Sequence, residues 1–207
     1  MRLQDIDLLT PTIRDFSLPA VNSHHWRLDS TSPLSLAREK LIQDSDTDWV
    51  LFVDDDITWS PETLDRMFLA IDAKTGAIDT QILDRGITPH FTTSRVTRGW
   101  LGFTLVRREA VQDWHPPPLQ RFEDEHLRRH ILKKGFRYKR ILDIAPVIHD
   151  YVAGRPTKHD HFLDGQGARR VFSRREKIWM VAKTPLFLRR GKVRFLAHYY
   201  FVSGMIH

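Results

Sequence analysis

The run Trp49-Val50-Leu51-Phe52-Val53, followed at once by Asp54-Asp55-Asp56, constrains this chain more than any other stretch. A continuous apolar run this short reads as a strand buried on both faces, as in the middle of an α/β sheet. In open α/β sheets the ligand lies beyond the carboxyl ends of such strands. Three carboxylates at that point repel one another. A divalent cation relieves the repulsion best, because Mg²⁺ and Mn²⁺ prefer carboxylate oxygens and bridge to substrate phosphates. The other reading of the three acids is a solvated loop that closes a strand. Ser60 and Pro61 then signal a helix start, which puts the acids on a short strand-to-helix loop.

Upstream, residues 6–12 read as a first strand ended by Pro11, and residues 23–28 as a second that runs into Asp29-Ser30-Thr31. Ser32 is placed to cap a helix with Pro33 in its first turn, and Leu34, Leu36, Ala37, Leu41 and Ile42 give that helix an apolar face. Taken alone, Arg38 on this helix reads as a solvated surface arginine. Downstream of the acids, Leu64, Met67, Phe68 and Ile71 space a second helix closed by Gly76, with a strand over residues 77–83.

Residues 96–106 read as one long strand holding Gly99 and Gly102. Glycine inside a strand marks a bulge or a place where a ligand approaches the backbone. Trp100, between them, either stacks on a sugar ring or fills the core. Trp100 and Gly102 are therefore candidate acceptor contacts. Pro116-Pro117-Pro118 forces an extended loop that leads to a helix over residues 123–134, capped by Gly135. Glu123, Asp124 and Glu125 in its first turn suit the helix dipole even without a chemical role. Residues 136–143 and 145–149 read as closing strands, and His149 by itself is either a structural residue or a metal ligand.

In this order the pieces resemble the nucleotide-sugar glycosyltransferases of the GT-A fold, and among them the inverting family 2 type. The ordered set is a strand ending in three aspartates, a glycine-interrupted strand, Phe122-Glu123-Asp124 about 70 residues after Asp54, and a histidine beyond the next strand. The resemblance covers about residues 5–150. It implies an α/β fold, a three-layer α/β/α sandwich with a mostly parallel central sheet over residues 1–152. Residues 153–207 are left as a flexible loop and a basic C-terminal helical extension.

Roles follow from the resemblance position by position. Thr10, Pro11 and Thr12 match the end of the family's first strand, which borders the nucleotide, and Asp29 matches an aspartate that contacts the base. Ala37-Arg38-Glu39 resembles an Ala-Arg-Asn element, which gives Arg38 a nucleotide role and puts Glu39 where asparagine is expected. The segment between the first two strands is shorter than the family's. Asp54 and Asp55 would hold the ribose side of the nucleotide. Asp56 with Asp54 and His149 would hold Mn²⁺ or Mg²⁺, and the histidine tilts the choice toward Mn²⁺. Asp124 matches the catalytic base and Glu123 its neighbour. The implied reaction moves a sugar, with inversion, from a nucleoside-diphosphate sugar to a hydroxyl of a glycan, protein or lipid-linked acceptor. The cation offsets charge on the leaving phosphates while Asp124 takes the hydroxyl proton.

The charge of +6 is unevenly spread. Residues 166–207 carry ten Lys/Arg and one acid, leaving the first 165 residues near −3. In this tail basic clusters alternate with large apolar residues such as Ile178, Trp179 and Val181. Such segments lie at anionic membrane surfaces, which makes a peripheral contact at the cytoplasmic face one expectation. The other is a helix pair packed on the domain or on a second subunit of a homodimer. Gln166-Gly167-Ala168-Arg169-Arg170 has a faint likeness to a Gln-x-x-Arg-Trp acceptor motif, with Arg170 in the tryptophan's place. No secretory signal is visible, no apolar run approaches membrane-spanning length, and the chain has no cysteine, so a cytoplasmic location is expected. The competing classes are a GT-A-like sugar nucleotidyltransferase, for which the glycine-rich phosphate loop is missing, and a tail-driven nucleic-acid binder. For the latter no recognition motif is visible and the body is acidic, so nucleic acid is not an expected partner.

Overall fold

Residues 49–53 form a strand with all five side chains buried, and the sheet is built outward from it. The computed structural model describes residues 5–12, 26–29, 33–84, 88–89, 96, 98–119, 122–143, 147–149, 158–184 and 192–206. In chain order these form β1 (Asp7–Pro11), β2 (Trp26–Asp29), α1 (Leu34–Asp44), β3 (Trp49–Val53), β4 (Ile57–Thr58), α2 (Pro61–Leu69), β5 (Thr75–Thr80), β6 (Ile82–Asp84), β7 (Thr88–Pro89) and β8 (Phe103–Arg107). They continue with α3 (Glu123–Lys133), β9 (Arg137–Ile141), β10 (Val147–His149), α4 (Lys158–Val171), α5 (Arg174–Ala182) and α6 (Lys192–Ile206).

The main sheet has the order β2-β1-β3-β8-β5-β9, and β4-β10-β6-β7 form a smaller one. In the main sheet β1 pairs in parallel with β2 and β3, and β5 with β9, while β8 runs antiparallel to both its neighbours. Alternation along β3 sends Val50 and Phe52 to one face, where they join Leu41 and Ile42 of α1 and Leu127 and Ile131 of α3. Trp49, Leu51 and Val53 go to the other face, with Leu64 and Met67 of α2. An all-apolar strand needs this cover on both sides, and the result is the three-layer α/β/α sandwich.

Several local expectations are corrected. The strand expected over residues 96–106 is confined to Phe103–Arg107. Before it, the carbonyls of Trp100 and Leu101 accept from the Tyr138 hydroxyl and the Arg38 guanidinium, side chains in place of a neighbouring strand. The helix expected to close at Gly76 ends at Leu69. An Asp72 turn, whose Oδ1 accepts from Lys74 N–H at 2.9 Å and Thr75 Oγ1 at 2.8 Å, feeds the chain into β5 instead. Gly76 lies within β5, where a Cβ would stand 2.6 Å from both Ile131 and Phe136. The strand expected over residues 77–83 divides at Gln81 into β5 and β6.

Pro33, not Ser32, takes the N-cap position of α1; Ser32 lies outside the described residues. Ser35, in the first turn, instead fastens the proline run, donating to Pro117 O at 3.0 Å and accepting from Leu119 N–H at 2.7 Å.

In the tail, where a flexible loop was expected to begin the extension, α4 occupies Lys158–Val171, and residues 153–157 lie outside the described residues. A Cβ at Gly165 would stand 1.9 Å from Phe201 O, so its missing side chain lets α4 and α6 cross at backbone contact. Ala168, Val171, Phe172 and Phe201 then pack on Leu119 and Phe122, which is the domain-packed arrangement. Among the described residues no helix is long and apolar enough to cross a membrane.

Candidate active site

The carboxyl ends of β1 and β3, residues 98–102, the start of α3, and β10 meet at one end of the sheet. Asp54 ends β3, with its N–H donating to Gly102 O at 2.8 Å. Its Oδ1 accepts from Arg38 Nη2 at 2.8 Å, and its side chain keeps 29% exposure. The apolar face of α1 carries Arg38 inward, so the solvated-arginine reading is corrected: the residue is 1% exposed. Its guanidinium lies 5.2 Å over the Phe52 ring, and Nη1 donates to Leu101 O at 3.2 Å. Arg38 Nε sits 3.7 Å from Glu123 Oε1 and has no hydrogen-bond partner. One buried cation thus serves two carboxylates from distant parts of the chain, which is what a buried guanidinium requires.

Phe122 precedes α3 in the left-handed region at φ 66, where a side chain costs on the order of 1–3 kcal/mol. Glu123 is 7% exposed, and burial pushes its pKa up to about 7. Arg38 opposes that rise, while Asp124 and Asp54 add to it. Burial also raises Asp124, against the field of Arg98 and a 2.7 Å hydrogen bond from Glu125 N–H. Glu125 has another task. Its carboxylate accepts from Gly99 N–H at 3.3 Å and from Arg128 and Arg129 at 2.8 Å each. Burial raises its pKa, but the two arginines outweigh that and leave it lowered. Gly99 lies on the helix start, where a Cβ would stand 2.9 Å from Asp124 O.

Antiparallel pairing of β4 with β10 places His149 opposite Ile57, the residue after Asp56. His149 Nε2 and Asp56 Oδ2 are consequently 3.4 Å apart. The Trp100 ring meets His149 edge-on, with centroids 6.1 Å apart at 76°. The room that Gly102 leaves is filled by the Trp100 indole itself, 2.2 Å from where a Cβ would stand. Thr12 Oγ1 donates to Asp55 Oδ2 at 2.5 Å, and Thr10 and Pro11 are buried just before it. Asp29 pairs with Pro11 in the backbone register, but its side chain lies outside what is described. Glu39 turns away to His115 Nδ1, at 2.6 Å.

Among the described residues no three His, Asp or Glu side chains converge as a metal cluster. Asp56 and His149 present an oxygen and a nitrogen donor side by side. That pair fits Mn²⁺ or Mg²⁺, whose remaining positions are commonly filled by phosphate oxygens and water.

The sequence reading did not single out Arg98, Tyr138 or the backbone of Phe122. Arg98 lies 4.7 Å over the Phe122 ring, and Tyr138 OH donates to Trp100 O at 3.0 Å while accepting from Trp100 N–H at 3.3 Å. Nothing in residue spacing signals these, because each acts across more than twenty residues of chain.

Residues 24–154, more than half of the chain, match the family described as Glycosyl transferase family 2. No curated protein sequence matches it. Among solved structures, S. aureus TarS residues 1–349 is similar with a TM-score of 0.52 at 12% identity, covering 100% of this chain and 91% of that one. A197 from STIV has a TM-score of 0.46 at 15% identity, covering 76% and 99%. A glycosyltransferase involved in the glycosylation of the major capsid of PBCV-1 has 0.46 at 13%, covering 77% and 98%. The TarS likeness is one of fold.

Proposed function

The chain belongs to glycosyl transferase family 2, and from that premise we propose that it moves a sugar from a nucleoside-diphosphate sugar to an acceptor hydroxyl with inversion at the anomeric carbon. Family membership decides between glycosyl transfer and the two alternatives, sugar nucleotidyl transfer and nucleic-acid binding. The observation that carries the finer reading is Arg38, buried between Asp54 and Glu123. It couples the nucleotide end of β3 to the start of α3, where the base would stand.

In this reading Asp54 and Asp55, the latter steadied by Thr12, face the ribose, and Thr10, Pro11 and Asp29 border the base. Asp56 and His149, with Asp54 nearby in sequence, would hold Mn²⁺ or Mg²⁺. Bound there, the cation supplies Lewis-acid stabilisation of charge on the departing diphosphate. Asp124 accepts the acceptor's hydroxyl proton as that oxygen attacks the anomeric carbon and the bond to the diphosphate breaks. Burial raises its pKa, which makes the carboxylate a better proton acceptor than an exposed aspartate. Trp100 offers a ring beside His149 on which a sugar face can rest. The test is Asp124→Asn. Transfer should fall by about 10²–10⁴-fold, with cation-dependent donor binding retained. Near wild-type transfer by that variant removes Asp124 from the reaction.

A second reading concerns where the acceptor is met. Ile178, Trp179 and Val181 of α5 and Tyr199 and Ile206 of α6 point outward, each more than two-fifths exposed. Arg174, Arg175, Lys177 and Lys183 accompany them, and Lys183 Nζ lies 3.1 Å from the Trp179 ring centre. An apolar face flanked by cations fits the headgroup zone of an anionic bilayer, where a lipid-linked acceptor would be found. Vesicles rich in phosphatidylserine should co-sediment the protein, and Ile178→Glu with Trp179→Glu should abolish this. No binding at moderate salt contradicts the reading, and concentration-dependent dimerisation lost in the same variant assigns the face to a second copy.

A further inference from the structure

We propose that α4 and α6 form a clamp that keeps Phe122 left-handed and so aims the first turn of α3, with Phe172 and Phe201 as positioning residues for Asp124. The inference rests on the reading of Asp124 as the base.

The φ of 66 at Phe122 is the one positive value at a non-glycine among the described residues. A side chain disfavours this region, so something outside the residue must hold it there. Phe122 makes no side-chain cap hydrogen bond to α3, and among the described residues what holds its side chain is packing. The Phe122 ring meets Phe172 edge-on at 5.5 Å and 83°, and Phe201 at 6.4 Å and 50°. Ala168 and Val171 complete the contact from the tail, and Leu119 from the proline loop. The Arg98 guanidinium, 4.7 Å over the ring, comes from the active-site loop.

A rotation of Phe122 into the ordinary helical or extended region would swing residues 123–124, because its carbonyl accepts the His126 N–H at 3.0 Å and so begins the helix. The tail grips the same helix a second time. Arg129 of α3 donates to Glu125 at 2.8 Å, to Val171 O at 3.1 Å and to Glu176 at 2.6 Å. Glu125 in turn accepts the Gly99 N–H. A tail that begins after the last closing strand therefore reaches the residue before Glu123 and the loop beneath Asp124. Donor binding should be less sensitive, since Arg38 and Asp54 are held by Leu101 and Gly102.

The experiment uses the full chain. In Phe172→Ala, kcat should fall by about tenfold to 100-fold, the loss expected of a misaimed group, while the donor Kd with Mn²⁺ stays at the wild-type value. Phe172→Tyr, which keeps the ring, should restore kcat. Hydrogen exchange at amides 123–126 should quicken in Phe172→Ala while amides 50–53 of β3 stay protected. Unchanged kcat in a folded Phe172→Ala overturns the proposal. So does a joint fall of kcat, donor affinity and β3 protection, which marks general loss of structure. If the wild type transfers no sugar, the reading of Asp124 fails, and the exchange data alone decide whether the clamp exists.

Discussion

Glu123 shows how much the site depends on individual charges. It is buried beside Arg38, yet burial and the neighbouring carboxylates hold its pKa near 7, above the 4.5 of an ordinary glutamate. A carboxyl raised on folding contributes stability that is fully present below about 4.5 and lost as pH rises through about 7. Wild-type Tm should therefore drop between pH 5 and pH 8, and Glu123→Gln should drop less, by about 2–4 °C for each kcal/mol removed. Parallel pH profiles of the two proteins would contradict this. The places of Asp54 after β3, Asp124 in the first turn of α3 and His149 on β10 were legible in the sequence, because they follow from the order and spacing of the elements. The burial of Arg38 was not, since an arginine next to an apolar stripe looks the same whether it faces water or the sheet. The left-handed Phe122 was illegible too, because its conformation is set by rings contributed some fifty and eighty residues later.

At the scale of elements, the segment before β8 is the instructive case. Its glycines and apolar residues suit a strand, but the structure ties its backbone to side chains of α1, α3 and β9. Arg140 of β9 donates to Arg98 O at 3.1 Å while pairing with Asp79 of β5, 2.7 Å from Nε to Oδ1. Asp79 is wholly buried and Arg140 nearly so. Asp79→Asn would leave the guanidinium without its carboxylate, so urea denaturation should show a loss of about 3–5 kcal/mol, and a change within about 1 kcal/mol would contradict the assignment. β3, α3 and the closing strands could be read from composition and spacing because their hydrogen bonds are internal or to neighbouring strands. This segment could not, since residues 98–101 are held by single polar side chains of α1, α3 and β9.

Across the whole molecule, an acidic sandwich carries a basic helical tail, and the tail has two faces. One packs on Phe122 and Leu119 and becomes part of how the active end is held; the other carries exposed apolar and cationic side chains. The family and the layered fold were legible from the ordered motifs of residues 5–150, whereas the tail's basic and apolar residues suited membrane, dimer and domain packing equally. Everything proposed about chemistry depends on Asp56 and His149 joining a cation to a donor's diphosphate. The direct test is a thermal-shift panel of UDP-, GDP-, dTDP- and CDP-sugars, with and without Mn²⁺, on wild type and Asp56→Ala. The expected result is that one donor stabilises the wild type only when Mn²⁺ is present, by about 2.7 kcal/mol at a hundredfold excess over Kd, and that Asp56→Ala loses the effect. Stabilisation by no donor, or equal stabilisation without Mn²⁺ in both proteins, would contradict it.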